Sequence, residues 1–230
     1  MHNDLSRTGM DTRSDTMNLS QWMNRMERKL GRFAIRNLMT IIVMGMAAVF
    51  AINTFTPLNL SGLLAFNKAA VMRGQIWRLI TFIFIPPNAS LLFIVFALYF
   101  DWLVGSALEN QWGAFRFNLY YLCGMLGTIL AGCITGYATN YYLNLSLFLG
   151  FALMYPDFQV NVFFILPVKM KYLALLSALG LVYSLVVGTM ATRIALLMAM
   201  LNVALFFGGD LVTRVKDMIR RYRWKQSFRK

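Results

Sequence analysis

Asp101 makes the largest demand on its surroundings. It stands in the apolar run Leu91–Val104, and a carboxylate inside a membrane-length segment is costly and a functional candidate by default. Glu109, eight residues on, lies about 12 Å further along the same predicted helix. No second acid or cation completes a proton relay or ion site with Asp101, so a structural hydrogen-bonding role is expected for it. Other reactive residue types are scarce. The one histidine, His2, falls in a polar N-terminal tail, and the apolar runs contain no internal lysine. Cys123 and Cys133 share one predicted helix about 15 Å apart, cannot bridge, and read as small packing residues. Without a metal-ligand cluster or a phosphate loop, no metal and no cofactor are expected, and the soluble enzyme classes drop out. The remaining polar feature is "GQIWRLITFIFIPP", Gly74 to Pro87. It sets Trp77 beside Arg78 in an apolar stretch too short to cross a bilayer cleanly, closed by Pro86 and Pro87.

The elements that must position these residues are membrane helices. The chain is 59% hydrophobic and 13% charged, outside the range of soluble domains, and so reads as a polytopic integral membrane protein. Hydropathy predicts six spans, at about 38–56, 89–108, 115–136, 140–155, 172–188 and 192–208, with a hinge at 187–191. The net charge of +13 sits mostly at the ends: fifteen of twenty-two lysines and arginines lie before residue 37 or from Arg214 onward. That placement argues against nucleic acid and for anionic lipid head groups at the basic tails. With six spans, eighteen basic residues fall on the side of the termini and four on the other, which predicts cytoplasmic termini. The expected organisation is a disordered polar tail at 1–17, a basic amphipathic helix at 18–37, a membrane domain at 38–210 and a polybasic tail at 211–230. The helix at 18–37 would lie on the membrane surface or pack on a neighbouring loop. No cleavable signal peptide is evident, because the first apolar run starts late and lacks a small-residue cleavage pattern. Between spans four and five, Pro156 and Pro167 stop helices, and "FFILPVKMK" reads as an amphipathic re-entrant or surface segment.

Gly124, Thr128, Gly132 and Gly136 recur every four residues on the third span, and Ala191, Ala195 and Ala199 repeat the spacing on the sixth. Such stripes let helix backbones approach closely. Packing within the chain is the default reading, and homodimerisation through Gly132 and Gly136 the alternative.

"GQIWRLIT", followed by a span ending in Leu-Glu and then Trp-Gly and Arg-Phe in "SALENQWGAFRFNLYYLCGMLG", resembles the rhomboid superfamily. The first stretch is especially similar to the derlins, its non-proteolytic branch. The resemblance covers residues 38–210. It implies an all-α bundle of six transmembrane helices whose first loop is a compact structure half-submerged in the outer leaflet. Arg78 would brace that loop by satisfying its carbonyls, with Trp77 at the interface, and Glu109, Trp112, Gly113 and Arg116 would complete the structural motif. An aromatic anchor and a snorkelling charge would account for Trp77 and Arg78 without any special fold.

An active rhomboid resembles a serine protease reduced to a dyad: a serine in a Gly-x-Ser-Gly turn opening span four, and a histidine on span six. A serine hydroxyl needs that base to become a nucleophile. Here Ser146 stands near the expected place with Asn144 and Leu147 in the glycine positions, and Asn202 takes the position of the base. An amide cannot act as one. Asn144, Ser146 and Asn202 are therefore expected to form an interhelical polar cluster. The resemblance implies a pseudoprotease that binds transmembrane segments of client membrane proteins, and a bacterial plasma membrane is the expected location. An active protease using Ser146 and a small transporter or channel are the alternatives.

Overall fold

A computed structural model describes residues 27–28, 31–162 and 166–227, with the last helix described from residue 209 on by its backbone alone. The tail expected at 1–17, His2 and most of the helix expected at 18–37 lie outside the described residues.

Hydropathy and helix propensity place the α-helices α1 (Leu38–Phe55), α2 (Leu60–Leu64), α3 (Lys68–Met72), α4 (Arg78–Thr81), α5 (Leu91–Trp112), α6 (Ala114–Thr135), α7 (Tyr141–Met154), α8 (Met170–Val187) and α9 (Met190–Ser227). Among them α1, α5, α6, α8 and the Met190–Gly208 part of α9 are long and apolar enough to cross a membrane. The chain is a helical multi-pass membrane protein. The predicted fourth span, α7, has 14 residues. At about 21 Å it falls short of a hydrocarbon core of about 30 Å, so five helices rather than six meet the length criterion. Its position accounts for the shortness. α5, α6, α8 and α9 all pack on α7, and Leu143, Leu147, Phe151 and Ala152 are buried between them. A helix enclosed by protein need not match the lipid by itself.

Two departures from the predicted pattern are small sheets. β1 (Phe66–Asn67) pairs antiparallel with β2 (Tyr137–Ala138), stitching the first loop to the α6–α7 connection. β3 (Gln159–Val162) pairs with β4 (Leu166–Lys169), with Val160 opposite Val168. Within the segment read as an amphipathic re-entrant or surface stretch, Leu166–Lys169 is thus a strand. "QVNV" alternates polar and apolar residues, the period of a strand, and Val160 is buried. At the C-terminus α9 runs continuously to Ser227.

One residue joins α5 to α6. Gly113 has φ 82°, a region that side chains rarely adopt, and its N–H closes α5 on the Glu109 carbonyl at 2.8 Å. At Gly124 and Gly132 the small-residue stripe of α6 is occupied within the chain, whereas a Cβ on Gly136 would meet nothing within 4 Å. A Cβ on Gly132 would lie 2.5 Å from two ring carbons of Phe66 and 3.0 Å from the Ala138 side chain. Gly124 and Thr128 are buried on the same helix, and Gly136 ends it with its N–H on the Gly132 carbonyl at 2.7 Å.

Candidate functional site

The loop between α1 and α5 is held by a few polar side chains. Arg78, 7% exposed, donates from Nη1 to the carbonyls of Gly62 (2.9 Å) and Ala65 (2.7 Å), and from Nε to Gln75 Oε1 (2.7 Å). Thr81 Oγ1 donates to the Leu64 carbonyl at 3.1 Å. One guanidinium fork therefore gathers the end of α2, the strand entry and the turn before α4. Trp77, its neighbour in sequence, is 53% exposed. The far end of the loop is fixed by a residue the sequence reading passed over. Asn140 is buried, and its Nδ2 donates to the carbonyls of Ile83 (3.0 Å) and Ile85 (2.9 Å). An asparagine directly before an apolar run suggests a helix cap, yet this side chain makes no cap bond and serves the loop.

At the opposite end of α5, Glu109 is buried and accepts the Asn37 backbone N–H at 2.6 Å, where Asn37 turns through φ 55° to start α1. Arg116 pairs with Glu27 at 3.5 Å, both partly exposed, a contact worth at most about 1 kcal/mol. Trp112 packs inward on Phe207, ring centroids 4.8 Å apart.

Ser146 is 1% exposed and lies where α6, α7 and α9 meet. Its Oγ donates to the Leu143 carbonyl at 2.7 Å and accepts from the Tyr120 hydroxyl at 3.1 Å. The serine proton is thus committed to its own helix, and the neighbouring phenol is a donor. A backbone carbonyl is not a base, and the phenol, as the donor in its contact, is not placed to take that proton. Asn202 is buried too, with Nδ2 3.4 Å from the Tyr120 carbonyl and Oδ1 without a partner among the described residues. Rings close the space: Tyr120 meets Phe206 at 5.0 Å and Trp112 at 5.5 Å, both contacts of the favourable edge-on kind.

The expected cluster of Asn144, Ser146 and Asn202 is divided. Ser146 and Asn202 meet at Tyr120, whereas Asn144 is two residues from Ser146 and so about 200° around the helix. Its Nδ2 donates to Asp101 Oδ2 at 3.3 Å. Asp101 has a polar neighbour, but on α7 and not on its own helix.

That second pair lies in a groove of about 890 Å³ between α5, α7 and α8. Phe96 and Phe100 line it from α5, Leu145 and Phe148 from α7, and Leu173 and Leu176 from α8. Pro86 and Pro87 belong to its loop end, together with Asn59 and Gly62. Asp101 enters about 15 Å along α5 from Leu91, near mid-depth for a helix of this length. α8 is the lightly held wall. Only 6% of its apolar window is buried, and Leu175, Leu179 and Tyr183 are exposed. A largely apolar cleft of this size, with polar side chains at its loop end and the Asp101–Asn144 pair deeper in, has the character of a binding site. The chain matches no protein-family model, and no curated protein matches it, so its function is read from the groove and from the surroundings of Ser146.

Proposed function

We propose that this chain is a rhomboid-like membrane protein without protease activity, which holds transmembrane segments of client proteins in the groove between α5 and α8. The observation that carries the reading is the groove itself, about 890 Å³ of largely apolar space with one lightly held wall. A guest helix has no hydrophobic drive to leave lipid, so it is retained by close packing and by polar contacts, and the groove offers both. Support for a non-proteolytic site comes from the hydroxyl of Ser146, which donates to the Leu143 carbonyl and accepts from the Tyr120 phenol, with no histidine or lysine beside it among the described residues.

Cross-linking from a photoreactive residue at Leu176, in native membranes, should capture membrane proteins. Failure to capture any would remove the proposal. Fluorophosphonate probes should leave Ser146 unlabelled, and Ser146→Ala should retain client capture. Labelling that disappears in Ser146→Ala would instead show a reactive serine and establish the protease.

In this reading α7 serves as a short, enclosed fourth span of six. Both termini then face the cytoplasm of a bacterial plasma membrane, with the basic tails at anionic head groups. The eighteen-to-four distribution of basic residues supports that orientation. In a chain whose native cysteines have been replaced, an impermeant thiol reagent added outside should modify Asn67→Cys and spare Ser227→Cys. The reverse pattern would overturn the orientation.

A further inference from the structure

Resting on the groove reading above, we infer that the groove selects transmembrane helices carrying a lysine or arginine near mid-membrane depth, with Asp101 as the acceptor and Asn144 beside it. Among the described residues the groove lining contains one acid, Asp101, and no basic side chain. Asn144 turns its amide nitrogen to Asp101 at 3.3 Å, and its Oδ1 is buried without a partner among the described residues. Asp101 is therefore an acceptor on a largely apolar wall of the groove, and among the described residues its side-chain donor is one long hydrogen bond from Asn144. An ammonium or guanidinium supplies several donors and no acceptor, the complement of this pair.

Energetics point the same way. A cation on a lone helix is costly at the bilayer centre, and an unpaired carboxylate at that depth is costly too. Bringing them together in the groove relieves both costs, a gain unavailable to an all-apolar guest. A guest with its own mid-depth acid would be repelled. Asp101 lies among the aromatic and aliphatic residues that would grip the guest, so one helix can engage the packing surface and the acid together.

The test uses the full chain in lipid nanodiscs with a photoreactive residue at Leu176. The probes are synthetic 22-residue leucine–alanine helices bearing lysine, arginine, norleucine or glutamate at the centre. Lysine and arginine helices should be captured about tenfold more than norleucine, with glutamate lowest, as expected for an interhelical polar contact. In Asp101→Asn the lysine-to-norleucine ratio should fall to near one, and Asn144→Leu should lower it in part. Equal capture of lysine and norleucine helices by the unaltered chain would overturn the selectivity and leave the groove reading standing. Capture of no probe at all would overturn both. The probe series on the unaltered chain decides the matter even where Asp101→Asn does not fold.

Discussion

Arg78→Ala should lower the unfolding stability of the detergent-solubilised protein by about 2–5 kcal/mol, whereas Arg73→Ala should change it by less than about 0.5 kcal/mol. The difference follows from what each side chain touches. Arg78 is buried and donates to two loop carbonyls and to Gln75, so truncation leaves the Gly62 and Ala65 oxygens without their donor. Each unpaired buried carbonyl costs about 1–3 kcal/mol. Arg73 is exposed, so its removal costs little. Arg78→Lys should fall between the two, because a point ammonium cannot reproduce the planar fork that reaches both carbonyls and Gln75. Tryptophan fluorescence during thermal unfolding reads the effect, and equal midpoints for the two alanine variants would refute the brace. Arg78→Ala should also weaken capture of helices by the groove, because Gly62, Pro86 and Pro87 belong to its loop end.

The long helices were legible because lipid imposes a length and an apolarity that any window of the sequence displays. Most of their observed ends fall within a few residues of the predicted ones, as at Leu91–Trp112 against 89–108, but α9 runs on to Ser227 against a predicted end at 208. β1 and β2 were not legible, since a pair of two-residue strands has no periodicity of its own and exists only because the loop returns to the α6–α7 turn. The hairpin of β3 and β4 left a trace in the alternation of "QVNV", masked by the apolar residues that follow. The polar site was legible in its membership and not in its pairing. Asp101 stands out as an acid in an apolar run, but its partner lies 43 residues away on another helix, beyond any local pattern. Tyr120 went unnoticed because a tyrosine within a membrane helix reads as packing. Its hydroxyl nevertheless engages Ser146, and its carbonyl faces Asn202.

The slot formed by Phe66 and Gly132 should behave as one energetic unit. Phe66 is a loop residue buried to 1% exposure, and its ring occupies the space a side chain at position 132 would need. Phe66→Leu should destabilise by about 1–2 kcal/mol through lost ring volume, and Gly132→Ala by about 1–3 kcal/mol through overpacking. In the double variant the smaller leucine vacates the ring positions that the new methyl enters. The combined cost should therefore fall below the sum of the single costs by about 1 kcal/mol or more. Some penalty should remain, because the Ala138 side chain also stands 3.0 Å from the new methyl. Additive single costs would show that the two positions do not share a space. A competing role for Gly132 is distinguishable in the same variants. Were this glycine a contact between two copies of the chain, Gly132→Ala would shift the oligomeric state in detergent, and Phe66→Leu would leave that shift unrelieved. The expected outcome is an unaltered oligomeric state with coupled stabilities, which assigns the glycine to anchoring the loop above the groove.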